Sequence, residues 1–421
     1  MTRSRAQDPT ASGAQRPHET VTLEGHIVDS LTLAKVLDRI LAFGADYELR
    51  SIEVGRTNLD ATIAELEVSA PDQVTLERLL EELQAYGANR VVIGDAHLAV
   101  ADCDGVLPFD FYSTTNLPTS VSIDGRWHAV AQPEMDCGLV VREGPVVETV
   151  PMHRVRVGDR IVVGNDGIRV ASPERPQHGL RFEFMDSEVS SEKPKGVLVA
   201  RVAKQITDRK AAGDRVLLVC GPAVIHTGAG PDVAQLVRDG WVDVLFAGNG
   251  FATHDLESNV LGTSLGISVG NGVPSAGGHA NHLRVINEIR RFGSIAGAVD
   301  AGYVTGGVMY ECVKRAVPFV LGGSVRDDGP LPDVYTDVVE AADAMRANIG
   351  GVGVCLMLAS TLHAIATGNV LPSSVETYCV DINQAVATKL SDRGSHQALG
   401  IVTDVGLFLR DLTADLGVHE Q

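Results

Sequence analysis

The sequence is poor in cysteine, in aromatic residues and in long apolar runs. Its six cysteines show no Cys-x-x-Cys spacing, and several of them stand in apolar segments. This pattern predicts buried thiols in a reducing compartment and argues against a disulfide scaffold or a structural zinc site. No apolar run approaches the roughly 18 residues of a membrane-spanning helix, and residues 1–19 lack the apolar core of a signal peptide. We therefore expect a cytoplasmic protein with no bound metal and no membrane contact.

Positive charge is scarce as well. Aspartate and glutamate outnumber lysine and arginine by 54 to 35, which gives a formal net charge of −19. Such a surface repels nucleic acid and anionic membranes, whereas it attracts a small cation. We expect no nucleic-acid partner, and a small cationic substrate would agree with this charge.

The apolar content is sufficient for a large core, since 44% of the 421 residues are hydrophobic. After a disordered leader, the periodicity of residues 19–93 predicts strands and helices in the order β-α-β-β-α-β, which is typical of a ferredoxin-like module. Short strands with turn signals follow. The predicted domains are a leader at 1–19, a ferredoxin-like α+β module at 20–100, a small β domain at 101–189 and an α/β domain at 190–421.

In the last domain, apolar strands alternate with glycine-containing turns and helices. The predicted strands are Arg215–Cys220, Val242–Ala247, Val317–Leu321 and Val375–Val380. This alternation predicts a Rossmann-like, doubly wound parallel sheet. Ligands of such sheets gather in the loops after the carboxyl ends of the strands.

A glycine-rich stretch, Ile349–Gly353, suggests a helix entry that binds phosphate, and Asp381 then ends the next strand and could accept hydrogen bonds from a ribose. The pattern departs from a dinucleotide fingerprint, because Leu356 stands where a third glycine is expected. The preceding residues, Asp337–Asn348, also resemble a helix instead of a strand. A glycine-rich helix entry without a ligand remains an alternative.

Other polar residues follow the predicted strands. Asn249 and Gly250 could contact a ribose or a nicotinamide, or form only a tight turn. The loop of residues 322–330 contains a cation for a carboxylate and two candidate bases, or it is a charged surface turn. Asp404 ends a further strand, where it could also serve as a turn cap.

Two further segments contain groups of possible catalytic use. His279 and His282 stand three residues apart without further ligands at matching spacing, which favours proton transfer over metal binding. Cys137 stands between Glu134 and Asp136 with no adjacent histidine. Carboxylates raise the pKa of a thiol, so a nucleophilic role for this cysteine is disfavoured.

Four segments together resemble a known family. They are Pro133–Gly138, Gly158–Gly164, Gly323–Pro332 and Cys379–Asn383. The chain from about Glu19 onward resembles the NAD-dependent alternative ornithine cyclodeaminases, which occur in archaea and as the C-terminal half of some bacterial arginine dihydrolases. Its N-terminal part resembles the region named for lysine-ketoglutarate reductase/saccharopine dehydrogenase (LOR/SDH) enzymes.

The resemblance implies an NAD-binding domain similar to that of deoxyhypusine synthase, and conversion of L-ornithine to L-proline and ammonia with catalytically recycled NAD. The βαββαβ module and a site between domains favour a homo-oligomer. The implied NAD contacts are Asn249, Gly250, Asp328, Ser360, Thr361, Leu362, His363, Asp381, Asp404 and Val405. For catalysis we expect Asp328 or Asp327 as base, Arg326 for the substrate carboxylate and His279 for proton transfer. Ala280 and Asn281 replace basic or histidine residues of the family, which leaves the substrate side open to change.

Two rival functions remain. One is an NAD-dependent amino-acid dehydrogenase of the saccharopine or lysine-ketoglutarate reductase type, which would release NADH. The other is a non-catalytic sensor of NAD or of an amino acid.

Overall fold

The computed structural model describes most of the chain. The described residues are 16–28, 31–55, 60–91, 94–171, 189–190, 195–265, 267–268, 280–325, 327, 329–392 and 398–417. The chain divides into two compact units, the first comprising residues 1–113, 117–131 and 138–177 and the second residues 114–116, 132–137 and 178–421. Three predicted site residues, His279, Arg326 and Asp328, lie outside the described residues.

The first unit begins with a four-stranded antiparallel sheet and two helices. Its elements are β1 (His18–Gly25), α1 (Thr32–Ala42), β2 (Asp46–Glu53), β3 (Thr62–Ser69), α2 (Gln73–Gln84) and β4 (Asn89–Arg90). The strand order is β2-β3-β1-β4, which is the ferredoxin-like arrangement of a βαββαβ unit. Alternate residues of β3 are buried, and Asp72 caps α2 by accepting a hydrogen bond from the Thr75 amide at 2.8 Å. The predicted ferredoxin-like module is confirmed.

A seven-stranded sheet completes this unit. Its strands are β5 (His97–Val100), β6 (Thr119–Ile123), β7 (Arg126–Ala131), β8 (Gly138–Arg142), β9 (Val146–Val150), β10 (Arg160–Val163) and β11 (Ile168–Val170), with a 3₁₀ turn at Met152–Arg154. Asn89 joins the two sheets, because its side chain donates to the Val170 carbonyl and accepts from the Val170 amide, both at 2.8 Å. The two modules thus pack as one unit, and the predicted boundary between residues 100 and 101 stays a prediction.

The second unit contains an eight-stranded sheet and a two-stranded ribbon. Its strands are β12 (Val189–Ser190), β13 (Arg215–Cys220), β14 (Val244–Gly248), β15 (Thr263–Ser264), β16 (Ile267–Ser268), β17 (Phe319–Gly322), β18 (Val334–Tyr335), β19 (Val352–Leu358), β20 (Glu376–Asp381) and β21 (Ala398–Val402). The order in the large sheet is β12-β21-β20-β19-β13-β14-β17-β18, and every neighbouring pair is parallel.

Helices connect these strands. They are α3 (Lys195–Ala211), α4 (Ala223–His226), α5 (Gly230–Arg238), α6 (Asn249–Leu261), α7 (Asn281–Phe292), α8 (Ile295–Asp300), α9 (Val308–Lys314), α10 (Val338–Asn348), α11 (Leu362–Val370), α12 (Gln384–Asp392) and α13 (Val405–Asp415). Within the described ranges, no helix is both long and apolar enough to cross a membrane.

Apolar residues of the large sheet pack on both of its faces. Val216 and Leu218 of β13 belong to one apolar cluster, while Leu217 and Val219 belong to another. A parallel sheet that is covered on both faces consists of continuous apolar strands, and every residue of β19 is buried. The predicted Rossmann-like, doubly wound sheet is confirmed.

One local prediction was wrong. The segment after Gly350 is the buried strand β19 and not a helix, because a short continuous apolar run fits a buried strand and a buried helix equally well. Gly353 lies inside that strand, and a methyl group there would collide with Asp214. The Gly350 loop therefore precedes β19 at the amino edge of the sheet, opposite the edge where ligands bind. At Asn249, the alternative of a simple turn is excluded, since this residue begins α6.

Candidate functional site

The strand order locates the candidate site. Read from one side, the order β21-β20-β19-β13-β14-β17 is the spatial order 3-2-1-4-5-6 of a dinucleotide-binding sheet. The half that begins at β19 comes later in the chain than the half that begins at β13. The strand order reverses between β13 and β19, so the crevice outside the carboxyl ends of these two strands is the expected binding position.

The loops after β13 and β19 touch at this point. The Gly221 amide donates to the Leu358 carbonyl at 2.9 Å, and a methyl group on Gly221 would collide with the Ala359 carbonyl. Ala359 has a φ of 48°, which is uncommon for a residue other than glycine and is frequent at functional sites. Only glycine at position 221 allows the two loops to meet.

Helix α11 begins directly after this loop. Its N-cap, Thr361, makes no side-chain capping hydrogen bond, and Ser360 beside it is buried. The first amide N–H groups of a helix have no acceptor within the helix, and they carry partial positive charge. An uncapped helix after the first strand of a mononucleotide-binding half is where a pyrophosphate binds in this class of sheet. Leu362, the first residue of the helix, is exposed.

His363 lies over the ends of two neighbouring strands. A Cβ atom on Gly248 would stand 2.8 Å from His363 Cε1, and one on Gly322 would stand 3.2 Å from His363 Nε2. Glycine at both strand ends therefore makes room for the imidazole. Burial lowers the pKa of His363, although the charge of Asp327 opposes this effect. The ring is thus a neutral hydrogen-bonding group near pH 7.

The buried side chain of Asn249 holds the loop that follows β17. Its Oδ1 accepts from the Leu331 amide at 3.0 Å, and its Nδ2 donates to the Gly329 carbonyl at 3.5 Å. Asp327 in the same loop accepts from the Ser324 amide at 2.7 Å. Asn249 thus positions the segment that contains Asp327, and its contact with NAD stays a prediction.

Gly250 differs from the other glycines of this edge. Among the described residues, no atom from another part of the chain stands within 4 Å of where its Cβ would be. The second residue of α6 therefore opens onto space at the carboxyl edge, where a ligand could approach the backbone closely.

The two remaining acids follow neighbouring strands, Asp381 as the last residue of β20 and Asp404 two residues after β21. Asp381 is the last residue of β20, and its Oδ1 accepts from the Asn383 amide at 2.7 Å. This is the second strand of the nucleotide half, whose terminal acid binds a ribose in dinucleotide folds. Asp404 caps α13 by accepting from the Leu407 amide at 2.9 Å, while Val405 is buried. A capping role for Asp404 is therefore present, and an NAD contact of Asp404 and Val405 stays a prediction.

The segment around Cys137 has a structural role. Glu134 is buried and bound by Arg346, whose Nη2 and Nε donate to Glu134 Oε1 at 2.7 and 2.8 Å. Burial raises the pKa of the Cys137 thiol to about 12, and the Glu134 carboxylate adds to the effect. The thiol is protonated at neutral pH, so it lacks the thiolate that a nucleophile requires.

A group of charged and polar residues on α4 and α6 was not predicted from the sequence. It includes His226, His254 and Glu257. The spacing of His254 and Glu257, one helical turn apart, could have indicated it once α6 was recognised. Among the described residues, no group of three or more histidine, cysteine, aspartate or glutamate side chains could hold a metal ion.

Family models match nearly the entire chain. The LOR/SDH bifunctional enzyme conserved region matches residues 18–117. The first C-terminal region of ArgZ-like arginine dihydrolases matches residues 118–199, and their C-terminal Rossmann fold matches residues 200–412. The three matches follow one another without a gap.

Individual proteins are similar over the same length. An ornithine cyclodeaminase of Methanopyrus kandleri is 49% identical over 94% of this chain and 97% of its own. The structure of cyanobacterial ArgZ, an arginine dihydrolase, has a TM-score of 0.83 at 36% identity. The structure of AgrE with ornithine and NAD⁺ has a TM-score of 0.52 at 39% identity.

The two solved structures belong to longer proteins. The alignments cover 98% of this chain, but 60% of ArgZ and 59% of AgrE. AgrE of Nostoc sp. is a bifunctional arginine dihydrolase/ornithine cyclodeaminase. In contrast, the archaeal ornithine cyclodeaminase is matched over almost its full length. The chain belongs to the family formed by the archaeal ornithine cyclodeaminases and the C-terminal regions of ArgZ-like arginine dihydrolases.

Proposed function

We propose that this protein is an NAD-dependent ornithine cyclodeaminase, which converts L-ornithine to L-proline and ammonia. The observation that carries this proposal is the near-full-length likeness to archaeal enzymes of that name, at 49% identity for the Methanopyrus kandleri protein. The complex of AgrE with ornithine and NAD⁺ supports both the substrate and the cofactor. The net charge of −19 favours a substrate with two ammonium groups.

The described residues at the carboxyl edge of the sheet fit NAD. Asp381 ends the strand whose terminal acid binds a ribose. The start of α11 is uncapped and suits a pyrophosphate. No described residue comes within 4 Å of the position that a Cβ atom on Gly250 would take, at the start of α6. We propose the remaining NAD contacts at Asn249, Asp328, Ser360, Thr361, Leu362, His363, Asp404 and Val405.

When bound, NAD would accept a hydride from Cα of ornithine and return one to the cyclic imine, so that no NADH is released. We propose that Arg326 binds the substrate carboxylate, because a guanidinium pairs with it through two hydrogen bonds. Asp327 and Asp328 are our candidates for the base that prepares the α-amine, and His279 for proton transfer. Asn249 orients this loop through its bonds to residues 329 and 331.

Isotope-labelled ornithine provides the sharpest test. Purified protein with a catalytic amount of NAD is incubated with [α-²H]ornithine or with [α-¹⁵N]ornithine, and the products are identified by mass spectrometry. We expect deuterium to remain at Cα of proline and ¹⁵N to appear in ammonia. Loss of deuterium to solvent, or ¹⁵N retained in proline, would contradict the proposed route.

The same incubation separates the rival functions. Absorbance at the reduced-cofactor wavelength should show no net rise while proline accumulates. A stoichiometric rise in NADH without proline would identify an amino-acid dehydrogenase. NAD binding with no product from ornithine would identify a sensor.

We also propose a cytoplasmic homo-oligomer. All six cysteines are free and five are buried, which agrees with a reducing compartment. The strand β2 is exposed along its length at the edge of its sheet, and Tyr47, Leu49 and Ile52 on it are 38–45% exposed. An exposed apolar edge strand is a common site of pairing between chains. Light scattering on the purified protein would test this, since a monomer at micromolar concentration would contradict it.

A further inference from the structure

A row of histidines ends on a buried glutamate in the second unit. His226 closes α4, His254 and Glu257 lie one turn apart on α6, and His282 lies at the start of α7. The ring centroids of His226 and His254 are 4.6 Å apart, and those of His254 and His282 are 6.5 Å apart. We name this group the histidine row; of its members, only His282 was singled out from the sequence.

Glu257 is completely buried and hydrogen-bonded on both carboxylate oxygens. Its Oε2 lies 3.0 Å from His254 Nδ1, and its Oε1 accepts from the Thr263 hydroxyl at 2.8 Å. Asn281 donates to that same hydroxyl at 2.8 Å, so the hydroxyl proton of Thr263 is directed to the carboxylate. Burying an ionised carboxylate costs several kcal/mol unless it is paired. The two hydrogen bonds to Glu257 offset this cost, so a charged group can be kept beside His254 in the protein interior.

The hydrogen bond to Glu257 fixes the form of His254. Because the carboxylate accepts from Nδ1–H, the neutral ring has its lone pair on Nε2. Within the described part of the chain, no hydrogen-bond partner is found for His254 Nε2. Protonation of Nε2 would give an imidazolium that the Glu257 carboxylate stabilises. An imidazole–carboxylate pair of this kind is a common acid–base device in enzymes.

The strand order places the histidine row on the reactive side of the proposed site. α4 and α6 follow β13 and β14, which lie across the crevice from β20 and its terminal Asp381. Each half of such a sheet binds one half of a dinucleotide, and the acid after the second strand marks the adenosine half. The loops after β13 and β14 therefore adjoin the nicotinamide half, where the substrate must bind.

We propose that His254 is the acid–base residue of the ring-closing step and that Glu257 positions it. This inference rests on the proposed function. Loss of hydride from Cα of the α-amine leaves an iminium at Cα. His254 Nε2 takes a proton from the δ-ammonium of the substrate, and the freed amine forms a bond to Cα while the electron pair of the C=N bond moves to the α-nitrogen. The same proton then passes from Nε2 to the α-nitrogen, and Nε2 takes the second proton of the ring nitrogen. The lone pair of the ring nitrogen forms the ring C=N bond as the bond between Cα and the α-nitrogen breaks, and ammonia leaves as ammonium with the proton that Nε2 holds. The step is neutral in protons and in electrons, and it leaves the cyclic imine.

His254→Asn tests the proposal directly. Asparagine can still donate a hydrogen bond toward Glu257, but it cannot act as a base. We expect proline formation to fall about 100- to 1,000-fold. Because the first hydride transfer precedes ring closure, addition of ornithine to the NAD-loaded variant should produce a lasting absorbance of reduced cofactor, up to one equivalent per active site. His97→Asn, the same change at an exposed position of the first unit, is the matched control and should match the wild type.

Glu257→Gln provides a second test that a purely structural role would not pass. The glutamine can still accept from His254 Nδ1–H but lacks the negative charge of the carboxylate, so kcat should fall at least tenfold while the KM for ornithine and the NAD affinity are retained. The proposal is overturned if His254→Asn makes proline within threefold of the wild-type rate. It is also overturned if proline formation stops without reduced cofactor, or if Glu257→Gln keeps the wild-type kcat. Failure of the wild type to make proline would instead reject the proposed function.

Discussion

The carboxyl and amino edges of the large sheet both contain glycines, but the space for a side chain differs between them. At the carboxyl edge, a methyl group on Gly221 would collide with the Ala359 carbonyl and one on Gly248 with the His363 ring, while one on Gly322 would stand 3.2 Å from that ring. At the amino edge, the described residue that a methyl group on Gly350 would meet is Gln132, at 3.9 Å from the end of its side chain. A glycine-rich sequence by itself therefore does not mark a nucleotide site. Whether a glycine belongs to a nucleotide site depends on the space around it and on the edge of the sheet where it lies.

The largest expected effect is that of Gly221→Ala. The added methyl group must displace the Ala359 carbonyl, which separates the loops after β13 and β19. Overpacking of this kind costs about 3 kcal/mol, and the distorted crevice should lose both NAD binding and proline formation. Urea denaturation and NAD titration of the variant measure the two effects. Wild-type stability in this variant would show that the two loops do not meet as described.

Asp381→Asn should weaken NAD binding about 10- to 100-fold, since a hydrogen bond from a ribose to a charged group is stronger than one to an amide. The asparagine oxygen can still accept from the Asn383 amide, so the fold should be unaffected. Calorimetric titration with NAD gives the affinity, and thermal melting checks the fold. An unchanged dissociation constant would remove Asp381 from the cofactor site.

Gly250→Ala and Gly350→Ala form a matched pair, one at each edge of the sheet. Neither methyl group comes close to another of the described residues, so both variants should keep their free energy of unfolding within about 0.5 kcal/mol of the wild type. Only Gly250→Ala should reduce NAD affinity, by about tenfold, if the cofactor approaches this part of α6. Equal affinities for the two variants would contradict the assignment of the carboxyl edge.

The smallest expected effect is a pH dependence of stability. The pKa of His363 is lowered below its ordinary value of 6.5 by burial, so the unfolded chain binds a proton more readily than the folded chain. The stabilisation of the folded protein by the neutral imidazole is therefore fully present above pH 6.5. It is lost as the pH falls from there through the folded-state pKa. His363→Gln should show a shallower fall in melting temperature between pH 7.5 and pH 5 than the wild type. A steeper fall would contradict the burial of the ring.

Periodicity predicted much of the architecture. The ferredoxin-like module could be foreseen because its strands alternate buried and exposed residues and its helices have apolar spacing of three and four. The central strand β19 could not, because it is buried on both faces and so lacks alternation. Helix α6 was missed for a related reason, since its buried residues, from Asn249 to Glu257, surround most of its circumference.

Asp381 and the histidine row also differed in how easily they could be predicted from the sequence. Asp381 was recognisable because an acid that ends an apolar strand is a local pattern. The pairing of His254 with His226 was not, because the two residues belong to different βα units and meet only through the packing of α4 on α6. Strand order, which the sequence does not display, brings such residues together.

The permuted order of the strands also has a consequence for synthesis of the protein. β13 pairs with β14 on one side and with β19 on the other, and β19 is made long after both. During translation, the backbone N–H and C=O groups along one edge of β13 therefore stay unpaired until β19 has been synthesised as far as Leu358 and has left the ribosome. Chains that end before that residue should present this strand to other molecules and aggregate.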